Sequence, residues 1–273
     1  MSKHFLSVVS IFKNEDHVLK EWLDHYIAEG VDHFYLIDNN STDNWEEILV
    51  PYIDSGRVTL FREKRNHYQT AAYNELVFPI RDESEWLAVV DLDEFVYGRT
   101  GKVSDFIKSL HFSVNGIRLP WVCFGSSGNI VQPKSVIDGF RSRRRYDNGS
   151  MERAKSIVRT RNVGCLNIHV HTINGWVVVD GRRVPVANES SGEQDEGRIR
   201  DSELLLNHYR VQSLRWYTET KMTRGYAINP VTAFLAEGYR LDEKFFIEND
   251  FNDVVDDTLA AKRGFTTRLE TGV

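Results

Sequence analysis

The 273-residue sequence predicts an α/β fold in one domain spanning 1–273, with a largely parallel sheet in residues 1–115 and a mixed half in 116–273. Three observations carry this. Short runs rich in Val, Ile and Phe alternate with helical patterns through the first half, the pattern that builds a parallel sheet with right-handed crossovers. Polar loops follow three of those runs at what would be their carboxyl ends, where such sheets bind ligands. After about Gly116 the texture changes to short strands and turns.

The first run, Leu6 to Phe12, reads as a buried strand and leads into the polar turn Lys13-Asn14-Glu15-Asp16. Val18, Trp22, Leu23, Tyr26 and Ile27 then recur at helical spacing, with Gly30 placed as a C-terminal cap. His33 to Ile37 is a second strand, Asp38 to Asp43 a polar loop, Trp45 to Ile53 a helix closed by Gly56, and Val58 to Phe61 a third strand. Trp86 to Val90 is an apolar run suited to a central strand covered on both faces, and Asp91-Leu92-Asp93-Glu94 follows at once.

In the second half, strands are expected at Ile117–Phe124, Ser156–Thr160, Asn167–Thr172 and Trp176–Val186, the last with an Asp180-Gly181 turn. Glu189 to Arg200 is polar and lacks periodicity, so it reads as a mobile loop. Helical patterning is expected at Ser202–Leu206 and Ser213–Ala227, and the charged segment beyond Asp250 reads as loosely held.

Hydrophobic residues make up 41% of the chain, enough for a real core, and the net charge of −6 gives no global field to attract nucleic acid. Two unpaired-looking cysteines, Cys123 and Cys165, argue against a disulfide framework or zinc cluster and suit a reducing, cytoplasmic setting. No apolar stretch approaches the ~20 residues that span a bilayer, although contact with a membrane surface through a lipid acceptor is compatible with the sequence.

Asp91 and Asp93, two apart where an apolar strand ends, send both carboxylates to one side. Oxygen ligands suit Mg²⁺ or Mn²⁺, which leave positions for the oxygens of a diphosphate. The competing account is a solvated turn, since Asp-x-Asp is short.

The set Lys13-Asn14-Glu15, Glu21-Trp22-Leu23-Asp24-His25, Tyr35-Leu-Ile-Asp38-Asn-Asn-Ser-Thr-Asp43 and Asp91-Leu-Asp-Glu-Phe95 resembles the GT-A glycosyltransferases of families 2 and 92. The resemblance covers the first ~125 residues well and the rest in patches. It implies a metal-dependent transfer of a hexose from a UDP- or GDP-sugar to a hydroxyl of a glycan or glycolipid. By the same resemblance Asn14, Glu15, Asp38 and Asp91 face the donor, and Asp91, Asp93 and His208 the cation; Lys221 either joins the donor side or lies on a solvated helix face, and the alternative for His208 is a histidine satisfied at a helix terminus. An imidazole ligand tilts the metal toward Mn²⁺. Arg224, one helical turn from Lys221, either faces the diphosphate or is a solvated helix face.

Trp121 and His169 are acceptor-side candidates, with core packing as the alternative. His169 and His171 share a strand face in this reading. Glu193 and Asp195, with Glu196 beside them, are candidate bases for an inverting transfer, which needs a carboxylate near the acceptor hydroxyl. The run Arg141 to Arg145 reads as a solvated strand edge, and Lys155 has no assigned role. A haloacid-dehalogenase phosphatase would carry Thr or Val where Phe95 stands, and a sugar nucleotidyltransferase a Gly-rich loop where Lys13-Asn14-Glu15 stands. The rival of another class is a non-catalytic nucleotide-sugar or carbohydrate-binding module of the same fold.

Overall fold

A computed structural model describes residues 2–65, 68–175, 177–224 and 241–271. Strands β1 (His4–Phe12), β2 (His33–Asp38), β3 (Val58–Arg62) and β4 (Ser84–Val89) lie in the order β3-β2-β1-β4, all parallel. Helices α1 (Asp16–Ala28) and α2 (Trp45–Asp54) connect the first three strands. Gly30 and Gly56 close them with φ of +88° and +73°, as their positions in the sequence required.

The sheet continues through β5 (Glu94–Gly98), β6 (Val114–Cys123), β8 (Ser150–Arg159) and β13 (Leu204–His208) in the order β4-β8-β6-β13-β5. Strand β8 is antiparallel to β4 and β6, whereas β13 is parallel to β6 and antiparallel to β5. Shorter strands complete the second half: β7 (Ser142–Arg143), β9 (Val163–Cys165), β10 (Thr172–Ile173), β11 (Val177–Val179), β12 (Ser191–Gln194) and β14 (Val254–Val255). The α/β class with a parallel half and a mixed half is therefore the observed one.

Side chains of β1 alternate between two cores: Leu6, Val8 and Phe12 pack with α1, while Val9 and Ile11 pack with Tyr35, Tyr73 and Leu87 on the other face. Helix α1 buries Val18, Leu19, Trp22, Leu23 and Tyr26 along one stripe. Two of these residues do more than pack. The Trp22 indole N–H donates to the carbonyls of Asp91 and Glu94 at 3.1 Å each, and the Tyr26 hydroxyl donates to the Glu94 carbonyl at 3.1 Å. His25 binds the Val96 carbonyl at 2.8 Å. The helix one layer below thus fixes the turn that leaves β4, a physical reason for Trp22 and His25 in the 21–25 motif and for Tyr26 beside it.

Four expectations are corrected. Ser202–Leu206 is not helical: Leu204–His208 is the buried strand β13, whose Leu-Leu-Leu run sits between two neighbours and shows no strand alternation. Glu189–Arg200 is not an irregular loop, because β12 pairs with β8 and a helix, Glu196–Asp201, follows. The expected strand Asn167–Thr172 is a turn, closed by the Asn167 amide on His171 Nδ1 at 3.0 Å, with only Thr172–Ile173 extended. Of the segment beyond Asp250, residues 254–256 are tied down, since β14 pairs with β7 and Arg143, 6% exposed at its side chain, binds Asp256 as well as Glu196. Of the helix expected at 213–227, residues 214–224 are helical, with a π-helical middle at Tyr217–Lys221, and 225–227 lie outside the described residues, as does Trp176. Cys123 and Cys165 are free, the first buried and the second exposed. Among the described residues no helix is long and apolar enough to cross a membrane.

Candidate active site

The parallel pairing brings the ends of β1, β2 and β4 to one edge, so the loops 13–16, 39–44 and 91–94 are neighbours. Asn14, in the left-handed region at φ +53°, joins the first two: its Oδ1 accepts the Thr42 amide at 2.7 Å and its own amide donates to Ser41 Oγ at 3.1 Å. Asp38, 3% exposed, accepts the Ser41 amide at 2.9 Å and an Arg62 N–H at 3.3 Å. Glu15 is buried and paired with Arg224 at 3.0 Å, and Arg224 also donates to the Lys13 carbonyl. Arg224 is therefore a strut between the C-terminal helical segment and the first loop rather than a solvated helix face. Burial pushes the Glu15 carboxyl above its usual range, against the pull of Arg224.

A cleft of about 300 Å³ opens between these loops and helical residues 214–224, lined by Asn14, Asp16, His17, Asp43, Trp216 and Glu219 among others. His17 bonds Gln212 at 2.9 Å, and burial lowers its pKa to about 4, so it faces the cleft as a neutral ring.

Beyond β4 the chain turns at Asp91–Glu94, closed by the Glu94 amide on the Asp91 carbonyl at 3.1 Å. Register then determines the neighbours, because Glu94 pairs with His208 across β5 and β13, and the Tyr209 amide binds the Asp93 carbonyl at 2.8 Å. His208 thereby returns from the second half to Asp93, with Nε2 to Oδ1 at 3.4 Å. The other Asp93 oxygen takes Lys221 Nζ at 2.9 Å. Burial works against ionisation of Asp93, but the adjacent Lys221 ammonium outweighs it and holds the carboxyl well below the usual range. Burial depresses the His208 pKa despite Asp93, leaving a neutral imidazole whose Nδ1 is buried without a partner.

Asp91 points elsewhere. Its carboxylate receives Lys155 at 2.7 Å and Gln69 at 2.9 Å, and its side chain stays about a third exposed. Lys155, 1% exposed, also approaches Glu94 at 3.3 Å. Glu94 is fully buried and accepts the Asp91 amide at 2.8 Å and the Trp121 indole N–H at 2.7 Å. Burial pushes its carboxyl above the usual range, against the pull of Lys155. Every group bonded to it is a donor, which matches the carboxylate form. Lys155, Glu94 and Gln69 are the members of this centre that sequence reasoning left without a role. Lys155 carried one signal, a lone cation in the run Ala154 to Val158, which otherwise carries no charge.

The acceptor-side and base candidates are all engaged within the protein. Trp121 is 7% exposed and packs on His208 at 4.1 Å and edge-on to His169 at 5.5 Å, so its ring offers no open face to a sugar. His169 Nδ1 meets the Ala154 carbonyl at 3.1 Å. Glu193 and Asp195 both engage Arg198, and Asp195 caps the helix Glu196–Asp201, roles that account for both carboxylates locally.

Among the described residues no group of three or more His, Cys, Asp or Glu side chains stands in metal-holding geometry. The donor chemistry of the Asp93 pair nevertheless fits a divalent cation. An ionised carboxylate and a neutral imidazole face each other across a gap too long for a good hydrogen bond.

The sequence profile of glycosyltransferase family 92 matches residues 3–234. Similar curated proteins include family 92 glycosyltransferases of Oryza sativa subsp. japonica, 28% identical over 219 residues, and of Ricinus communis, 26% identical over 219 residues. Each alignment covers 77% of this chain but only 34% and 36% of the relative, so the chain spans about a third of their length. Similar solved structures include TarS 1-349 of S. aureus in complex with UDP, at 18% identity, 57% of this chain, 47% of that chain and a TM-score of 0.35. Another is the glucosyl-3-phosphoglycerate synthase of Mycobacterium tuberculosis with Mn²⁺ and UDP, at 11% identity, 72% and 75% coverage and a TM-score of 0.33. With its profile match running from the first strand through Asp91, Asp93, His208 and Lys221, the chain belongs to glycosyltransferase family 92.

Proposed function

We propose that the chain transfers a hexose from a nucleoside-diphosphate sugar, with UDP or GDP as the nucleotide, to a hydroxyl of a glycan or glycolipid. The observation that carries this reading is the pairing of Asp93 with His208 and Lys221 where β4 ends, beside a cleft built from the loops that follow β1 and β2. Asp93 and His208 would hold Mn²⁺ or Mg²⁺, with Asp91 alongside. When bound, the cation neutralises charge that develops on the departing diphosphate.

The chain's own residues supply the rest. Lys221, released from Asp93, is a tethered cation for a phosphate oxygen. Lys155 and Gln69 fix the Asp91 carboxylate, which leaves an exposed edge for a ribose hydroxyl. Asp38 and Asn14 order the cleft wall in which the base and ribose would lie. An inverting transfer that used Glu193 or Asp195 as base would first have to break its ion pair with Arg198.

Calorimetric titration of UDP and GDP, with and without Mn²⁺, on wild type and Asp93→Ala tests the reading. Metal-dependent binding abolished by the substitution supports it and identifies the base. Both acidic side chains already carry a lysine, which favours a second reading in which Lys155 and Lys221 receive the diphosphate without metal. Metal-independent binding that Lys221→Met abolishes would favour that reading. Absence of binding by either nucleotide would sink both.

A further inference from the structure

Arg118 of β6 pairs with Ser156 of β8, whereas its neighbour Leu119 pairs with Lys155. Side chains alternate along a strand, so Arg118 leaves the sheet on the face opposite Lys155 and takes no part in the site around Asp91 and Asp93. It is 4% exposed. One guanidinium nitrogen, Nη1, donates to the Ala187 carbonyl at 2.7 Å. The other two, Nε and Nη2, are buried with no partner. Burial lowers the guanidinium's pKa, with the exposed Glu189 acting in the opposite sense.

The unpaired donors are not scattered. Nε–H and Nη2–H form one edge of the guanidinium, two parallel donors that match the spacing of two oxygens of a carboxylate or phosphate. Elsewhere in the chain Arg65 and Arg183 turn this edge onto Glu63 and Glu203, with all four contacts between 2.6 and 2.9 Å. Arg118 presents the edge with no carboxylate on it.

It borders a cavity of about 50 Å³ walled by Pro120, Gly181, Gly192, Gln194 and Leu204. One water needs roughly 10–15 Å³ by this measure, so the space admits a small oxyanion. Gly192 keeps it open: a Cβ there would lie 3.0 Å from Pro120 Cγ and 3.4 Å from Arg118 Nη2. The carboxylates that also line the cavity are engaged, Asp180 by Arg182 at 2.7 Å and Glu193 by Arg198. An unpaired buried charge costs several kcal/mol in general and persists where a partner completes it.

We propose that the Arg118 cavity is a binding site for a small oxyanion, a carboxylate or phosphate group of a ligand, held bidentately by Nε and Nη2. The proposal is independent of the glycosyl-transfer reading and concerns a different face of the sheet. The test is thermal unfolding of the full chain in inorganic phosphate and, separately, acetate, against chloride at matched ionic strength, for wild type and Arg118→Met.

Wild type should gain about 3 °C at ten times Kd, saturably, in at least one of the two anions, and the variant should gain nothing. A response confined to phosphate assigns a phosphate ester, and one confined to acetate assigns a carboxylate. Phosphate held at the Asp91–Asp93 edge would shift both proteins alike and cancels in the comparison. Equal shifts in both proteins, or none in wild type at tens of millimolar, would overturn the proposal. Should Arg118→Met fail to fold, a wild-type crystal soaked in arsenate decides. An arsenate anomalous peak, or planar density in a parallel acetate soak, within hydrogen-bond reach of Nε and Nη2 supports the site, whereas water alone in both soaks, or Glu189 folded onto Arg118, overturns it.

Discussion

Replacing Lys155 by Met removes a cation that touches both Asp91, at 2.7 Å, and Glu94, at 3.3 Å, while keeping most of the side chain's length. Removing one partner of a buried ion pair costs about 3–5 kcal/mol, because a charge is left behind without compensation. Asp91 is about a third exposed and can be rehydrated, so most of the cost falls on Glu94, which is fully buried. Glu94 keeps the Asp91 amide and the Trp121 indole as donors, which places the expected loss near the lower end, about 3 kcal/mol. Glu94→Gln alone should cost about 2 kcal/mol, since its amide can accept only one of those two donors. With the Glu94 charge gone, Lys155→Met should add only about 1 kcal/mol, from its remaining pair with the partly exposed Asp91. The double variant should therefore cost about 3 kcal/mol, a coupling of about 2 kcal/mol. Urea unfolding followed by the fluorescence of the six tryptophans measures each corner of the cycle. Losses that add to within about 0.5 kcal/mol, or a single Lys155→Met loss below about 1 kcal/mol, would refute the buried charge centre.

Two further predictions concern the scaffold. His171 is 1% exposed, and burial lowers its pKa to about 3. The unfolded chain takes up its proton near pH 6.5 and the folded chain only near 3, so this stability is complete above 6.5 and lost as pH falls, by about 3 kcal/mol at pH 4. His171→Gln should flatten the urea midpoint between pH 6.5 and 4, and parallel curves for the two proteins would contradict this. Gly125 has no room for a Cβ, which would sit 2.3 Å from the Phe251 carbonyl oxygen and 2.7 Å from its backbone C and N. Gly125→Ala should lower stability by about 1–3 kcal/mol and speed proteolysis within 250–264, whereas a wild-type melting temperature would show that this backbone yields freely.

The parallel half was legible because its signals are local. Apolar runs end in polar loops, Gly30 and Gly56 stand where left-handed caps are needed, and the 18-22-26 spacing places Trp22 and Tyr26 on one helix stripe. Asp91 and Asp93 stood out for the same reason, as charges at the end of a central strand. The second half depended on contacts that a local pattern does not encode. Leu204–Leu206 is apolar because β13 is flanked by β5 and β6, and nothing within the run distinguishes that from a buried helix. Lys155 meets Asp91 across 64 residues of chain through the pairing of β8 with β4. Glu193 and Asp195 looked free for catalysis in the sequence because their partner, Arg198, becomes their neighbour only once β12 and the next helix form. His208 was recognised through family resemblance, while its geometric cause, the Glu94–His208 register, emerges only in the sheet.

The most direct measurement is release of nucleoside diphosphate from UDP- and GDP-hexoses, with Mn²⁺ and with chelator, by wild type, Asp93→Asn and His208→Phe. Metal-assisted departure of the diphosphate at Asp93 and His208 predicts Mn²⁺-dependent release by wild type that falls at least about 100-fold in either variant, the scale of losing a charge-stabilising contact at a leaving group. Release that persists at the wild-type rate in Asp93→Asn would contradict it.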